Sequence, residues 1–170
     1  MLAVVSDSSP LIYLSRLGLI TLLRELHEQV IVPRAVWEEV AVGGTGWPES
    51  ENLKRAVSEG WILVRTPGLS QEVLGPAANQ LGRGEVEAIL LAKQLQAMLL
   101  TDDSDGRAVA ESIGLKVSGT VGVLIRAKAQ RHVQQLKPLL DRLRRETNLR
   151  ISEELIAAAL EAAGEAPSRT

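Results

Sequence analysis

The feature that most restricts the fold of this chain is a series of short apolar runs spaced by helical patterns. Ala3-Val4-Val5-Ser6, Val30-Ile31-Val32, Trp61-Ile62-Leu63-Val64, Met98-Leu99-Leu100-Thr101 and Lys116-Val117-Ser118 recur along the 170 residues. The first two are apolar without alternation and read as buried strands, Trp61–Val64 and Met98–Thr101 read as hydrophobic strands, and Lys116-Val117-Ser118 reads as a short strand. Strands of that kind, alternating with helices, predict an α/β fold around a parallel sheet of about five strands.

The segments between them carry helix signals. Ser9-Pro10 reads as an N-cap followed by proline at the first helical position, with Leu11, Leu14 and Leu17 along one face and Gly18 as the stop. Helices are also expected over 21–27, after Pro33, over 49–59, 84–95, 106–113 and 120–129, around Pro138, and from Ser152 to about 163. Gly43–Pro48 and Thr66–Ala78 read as loops. No repeat or linker divides the chain, which predicts one domain over 1–163 and a frayed tail over 164–170.

Composition removes several function classes. There is no cysteine, hence no disulfide framework, thiolate metal site or thiol nucleophile. His27 and His132 are the only histidines, too few for a multi-histidine metal centre. Aromatic residues are 2%, which excludes an aromatic platform for single-stranded nucleic acid. No apolar stretch reaches the roughly 18 residues of a membrane span. The N-terminus lacks a basic region and meets Asp7 early, so a cytoplasmic, soluble protein is expected. The net charge of −2 conceals an asymmetry, because Arg126 to Arg150 carries eight Lys/Arg against Asp141 and Glu146 in an otherwise acidic chain. That segment reads either as a patch for a polyanion or as a solvated helix face.

The chemistry-bearing residues are carboxylates at strand ends. In a parallel sheet, ligands bind beyond the carboxyl ends of the strands. The first run ends at Asp7 and the fourth at Asp102-Asp103. If those strands are neighbours, the acids meet, and like charges at such distances raise one another's pKa unless a cation sits among them. Without cysteine and with almost no histidine, the cation is a hard one, Mg²⁺ or Mn²⁺. Each acid also has a structural reading as a turn or N-cap residue. Glu85 and Glu87 suit the first turn of their helix, and Glu38 and Glu39 a solvated helix face.

Four blocks in order then resemble a known family. These are Val5-Ser6-Asp7-Ser8-Ser9-Pro10-Leu11-Ile12, Ile31-Val32-Pro33-Arg34-Ala35-Val36-Trp37-Glu38-Glu39-Val40, Leu81-Gly82-Arg83-Gly84-Glu85-Val86-Glu87-Ala88-Ile89 and Leu100-Thr101-Asp102-Asp103, with Gly114 to Thr120 also fitting. They resemble PIN-domain ribonucleases, especially the toxins of VapC-type toxin–antitoxin pairs and their uncharacterised relatives. The resemblance implies a three-layer α/β/α fold. It implies catalytic acids at Asp7, Glu39 (in preference to Glu38), Glu85 in place of the usual Asp, and Asp103 through a Thr-x-Asp pattern. It implies a divalent ion held by Asp7, Glu85, Asp103 and the adjacent Asp102, with Ser9 as a hydroxyl near the first acid.

The implied activity is endonucleolytic hydrolysis of RNA with Mg²⁺ or Mn²⁺, with an antitoxin protein and a homodimer as expected partners. Two other readings stand beside it. One is a PIN fold without catalysis that binds a partner protein. The other is an acid-pocket phosphoryl-transfer protein, for which the spacing fits less well, since Asp7-Ser8-Ser9 lacks the Asp-x-Asp of that chemistry.

Overall fold

A computed structural model describes residues 3–165. Five strands form one parallel sheet: β1 (Val4–Ser6), β2 (Val30–Pro33), β3 (Ile62–Arg65), β4 (Met98–Leu100) and β5 (Val117–Ser118). Their order is β3-β2-β1-β4-β5. The most buried runs of the sequence take the centre, with Val4 and Val5 of β1 fully buried.

Alternate residues of each strand face opposite layers. Val4, Val30, Val32, Ile62 and Leu100 join one core, with α1 (Ser8–Arg16), α2 (Leu22–Leu26), α4 (Pro48–Ser58), α7 (Thr120–Ala129), α8 (Lys137–Glu146) and α9 (Glu153–Ala162). Val5, Ile31 and Leu99 join the other, with α5 (Arg83–Leu95), α6 (Ser104–Ser112) and two 3₁₀ turns at Gln71–Leu74 and Pro76–Gln80. The expected α/β/α layering is present. Each fully buried Val or Leu contributes about 1.5–3 kcal/mol, so the sheet is held from both sides.

The topology fixes where a ligand can sit. From β1 the chain proceeds to β2 and β3 on one side, then returns to β4 and β5 on the other. The switch point therefore lies between β1 and β4, whose register pairs Ser6 with Leu100. The crevice beyond their carboxyl ends is the usual ligand position in such sheets. The acids at the ends of the first and fourth runs are brought to it as neighbours.

Several local expectations are corrected. Asp7, two residues before Ser9, is the N-cap of α1: its backbone is extended and its carboxylate accepts the Ser8 N–H. Pro10 then falls within the first turn, where its missing N–H leaves no intrahelical bond unmade. The helix after Pro33 is α3 (Arg34–Trp37), and it widens into a π-helical turn at Glu38–Val42 closed by Gly43 N–H to the Glu38 carbonyl, 2.8 Å. The loop over 66–78 contains one 3₁₀ turn, Gln71–Leu74, and runs into the second, Pro76–Gln80. At the start of the expected tail, Glu165 is tied down: its carboxylate accepts the N–H groups of Leu136 and Lys137 and so caps α8. The remainder of that tail, 166–170, lies outside the described residues.

Candidate functional site

Asp7 follows β1 directly and is 3% exposed. One carboxylate oxygen accepts the Ser8 N–H at 2.7 Å, and the other accepts the Thr101 hydroxyl at 3.1 Å. Burial raises its pKa, opposed by these hydrogen bonds, and the charges of Glu39 and Asp103 raise it further. Asp103 caps α6, its carboxylate accepting the Gly106 N–H at 2.6 Å. The Asp103 N–H donates to Thr101 Oγ1 at 3.2 Å. A single hydroxyl thus ties the two acids of the switch point together.

Glu85 enters from the third turn-forming position of α5, where its carboxylate accepts the Gly82 N–H at 2.8 Å. Burial raises its pKa first. The neighbouring charges of Asp103, Asp7 and Asp105 act in the same direction. Glu39 comes from the π-helical turn; its pKa is raised by burial and then by Glu85, while a Ser8 hydroxyl hydrogen bond opposes the rise. Gly84 permits this approach. A Cβ there would stand 3.2 Å from Val36 Cγ2, 3.3 Å from Glu39 Oε2 and 3.9 Å from Asp7 Oδ1.

The four acids line two adjoining clefts. One, of about 470 Å³, is lined by Asp7, Glu39 and Glu85 together with Glu38 and Arg83; the other, of about 330 Å³, is lined by Asp7, Glu85, Asp102 and Asp103. Ser8 borders both. Glu38 is separate from them in role: it pairs with Arg83 at 3.0 Å, and Arg83 also binds Glu87 at 3.2 Å. Glu87 in turn accepts the Ala35 N–H at 2.8 Å and so fastens α3 to α5.

Asp102 differs from its neighbour. Its two oxygens accept the Thr120 N–H at 2.8 Å and the Thr120 hydroxyl at 2.6 Å. Its own N–H donates to Ser9 Oγ at 3.2 Å. Asp102 thereby joins β4 to α1 and α7, and Ser9, which lines the acid cleft with Asp7, serves this joint rather than an N-cap. A Cβ at position 119 would meet Asp102 Oδ1 at 2.6 Å, so Gly119 is required for the contact.

Comparison with known proteins decides the family. The family model DUF3368, described as a PIN domain, matches residues 3–165. The chain belongs to this PIN-domain family. Among solved structures, the PIN domain is similar to a PilT N-terminus domain protein from the hyperthermophilic archaeon Sulfolobus solfataricus P2. That match has 20% identity and a TM-score of 0.50, and covers 75% of this chain and 93% of the other. It is also similar to a domain of a functionally unknown protein from Methanocaldococcus jannaschii DSM 2661. Here the identity is 24% and the TM-score 0.46, over 70% of this chain and 91% of the other. The first of these supports the fold. No curated protein matches the chain. PIN domains as a class are nuclease-like, and no helix of the described residues is long and apolar enough to cross a membrane.

The donor set of this PIN domain suits a hard divalent ion. It is all oxygen, and among the described residues Asp7, Glu39, Glu85 and Asp103 make no ion pair with Lys or Arg. Among the described residues, no three acidic or histidine side chains already converge as a closed ligand cage. Glu85 and Asp103 are each turned onto a backbone N–H. Mg²⁺ does not need such a cage, since one or two carboxylates with several waters are its usual ligands.

The basic segment is largely self-neutralised. Lys137 pairs with Asp141 at 3.0 Å, Arg142 with Glu146 at 3.0 Å, Arg145 with Glu146 at 3.2 Å and Arg144 with Glu153 at 2.8 Å. This favours the solvated-face reading for most of 126–150. Arg150 is the exception, because it borders the cleft of Asp7 and Asp103. Sequence reading did not single out Thr101, Ser8, Gly84 or Arg150. Only Thr101 carried a signal, as the first residue of the Thr-x-Asp pattern.

Proposed function

We propose that this PIN domain is a metal-dependent endoribonuclease that hydrolyses RNA phosphodiester bonds. The observation that carries the reading is the gathering of Asp7, Glu39, Glu85 and Asp103 at the switch point, without basic partners among the described residues and with the first three held above their ordinary pKa. Such a cluster is unfavourable by itself and becomes favourable when a cation enters it.

Asp7, Glu85 and Asp103 are the proposed ligands, with Glu39 beside Asp7 and Glu85 in the neighbouring cleft. A divalent ion bound there lowers the pKa of a coordinated water and offsets charge on the phosphate. Thr101 holds Asp7 and Asp103 in register. Glu39, its pKa raised, is suited to take a proton from the attacking water at its carboxylate. Asp102, whose oxygens are engaged by Thr120, acts in this proposal as a positioning residue rather than as the main ligand.

The proposal extends to a toxin of a toxin–antitoxin pair, acting in the cytoplasm as a homodimer and held by an antitoxin protein. That part is supported by the likeness of the four sequence blocks to such toxins. The test is cleavage of a labelled RNA pool with Mg²⁺, with Mn²⁺ and with chelator. Metal-dependent cutting by the wild type, lost in Asp7→Ala and Asp103→Ala, is the expected result. Absence of cutting together with absence of any melting shift on adding either ion would leave the partner-binding reading of the fold. Growth arrest on expression, relieved in the same variants, tests the toxin role.

A further inference from the structure

On the other side of Asp102 from the acid cleft lies a further cavity of about 460 Å³. The two adjoin, since Asp102, Leu149 and Arg150 line both. Its walls come from β5 and α7 on one side and from residues 149–155 on the other. Val117, Val121, Ile125, Leu149 and Leu155 form the apolar part. Arg107 and Arg150 bring two guanidinium groups to the same space, and Ser118 brings a hydroxyl. Two glycines of its lining pack closely against neighbouring side chains. A Cβ at Gly119 would collide with Asp102 Oδ1, and one at Gly122 would collide with Ser118 Oγ.

Its size falls within the ordinary range of about 300–1,000 Å³ for small-ligand pockets. The charge next to it selects the ligand. Arg150 complements an anion, and Arg107, paired with Glu111 at 3.7 Å and set beside Asp102, adds a second guanidinium plane, whereas the adjoining cleft is acidic and holds a polyanion poorly without help. An unstacked base finds what it needs here, apolar walls and guanidinium planes to lie against and a hydroxyl for its edge. A folded protein partner fits less well. Of the large apolar side chains exposed among the described residues, Leu155 alone (43% exposed) borders this cavity. That is far from the broad apolar surface of a stable interface, which buries at least about 1,000 Å².

The geometry points to this cavity as the seat of one unpaired RNA base beside the cleaved phosphate, with Arg150 at the shared wall holding the backbone phosphate that joins base to cleft. The inference rests on the ribonuclease reading for the strand in the acid cleft. It implies recognition of single-stranded RNA and a base preference at one position flanking the cut. It also gives a chain with almost no aromatic residues a way to hold a base.

The full chain is crosslinked by light to a thiouridine-substituted single-stranded RNA in chelator, and the attached peptides are identified by mass spectrometry. The same protein is assayed for cutting of a randomised RNA pool with Mg²⁺ or Mn²⁺, and the cut ends are sequenced. Crosslinks are expected on peptides spanning 117–125 and 149–155. They should fall by about tenfold in Arg150→Glu and in Leu155→Asp, two exposed positions whose variants should melt with the wild type. A duplex of the same sequence should not compete. Crosslinks elsewhere, no crosslinks, or crosslinks unaffected by both variants would overturn the inference. So would a Leu155→Asp variant that changes only the protein's own oligomeric state, since a second copy would then be the occupant. Crosslinks at the expected peptides without any cutting would retain the base site and remove the ribonuclease reading. Cutting with no flanking preference and no such crosslinks would do the reverse.

Discussion

Carboxylates in the acid cleft and carboxylates around α8 are the same chemical group under opposite conditions. In the cleft, burial and mutual repulsion raise the pKa of Asp7, Glu39 and Glu85. Around α8, hydrogen bonds from Arg142 and Arg145 lower that of Glu146, and N–H groups of Leu136 and Lys137 together with Lys128 lower that of Glu165. The difference separates acids that stabilise the fold from acids held in place against their own preference. Stored repulsion of this kind marks a functional site more reliably than acid content does.

Removing charge should therefore have opposite consequences in the two regions. The largest effect is expected from Asp7→Asn. It should reduce cleavage by more than about 100-fold, beyond the 10–100-fold typical of outer partners of a metal site. The same variant should melt higher than the wild type in chelator at pH 7, because asparagine keeps the N-cap bond without the charge. A lower melting point would mean that Asp7 is structural and would dissolve the contrast.

Next comes Thr101→Val, which keeps the shape and removes the hydroxyl between Asp7 and Asp103. Cleavage should fall by about 10–100-fold, with the fold retained by circular dichroism. Asp102→Ala should instead be read in stability. It strands the Thr120 N–H and hydroxyl, costing about 2–3 kcal/mol in urea unfolding. If Asp102→Ala abolished cleavage with no loss of stability, Asp102 would be a ligand and not a fastener.

A smaller effect concerns pH. A carboxylate raised above its unfolded value leaves the folded state holding protons that the unfolded chain has released. Cleft stability is therefore lost as pH rises from the ordinary values of 3.8 for Asp and 4.5 for Glu through the raised ones. His27 works in the opposite direction. Burial, aided by Arg126, lowers it from 6.5 to about 4, so its contribution is lost as pH falls through that window. Subtracting the Asp7→Asn melting profile from that of the wild type cancels His27. The variant's advantage in chelator should shrink from pH 7 toward pH 4, and Mg²⁺ should reverse it at pH 7. The smallest effect belongs to the other region. Glu146→Gln should lower the melting temperature slightly, and less so in high salt, as for any exposed ion pair.

How much could be read from the sequence follows the range of the interactions. The strands were legible because Val4-Val5 and Val30-Ile31-Val32 are apolar without alternation. The meeting of Asp7 with Asp103 followed once the first and fourth runs were taken as neighbours. Glu39 was preferred to Glu38 from the resemblance; both border the same cleft, and they differ in that Glu38 is paired with Arg83. What escaped were partners far apart in the chain: Ser9 to Asp102, Thr101 to Asp7, and Glu87 to the Ala35 N–H. Local propensity favours Ser before Pro as an N-cap, and only the register of β1 against β4 shows that the serine is needed elsewhere. The π-helical turn that delivers Glu39 has no local signature at all.

The strand order also governs when this protein becomes complete during its own synthesis. β1 leaves the ribosome before its partner β4, which follows more than 90 residues later, with Ser6 matched to Leu100. At about 5–20 residues per second, the ribosome needs several seconds or more to supply it. Through that interval Asp7 has no Thr101 and no Asp103 beside it. The cleft is thus assembled only after β4, Thr101 and Asp103 have emerged, and a growing chain at the ribosome, surrounded by RNA, does not carry it before then.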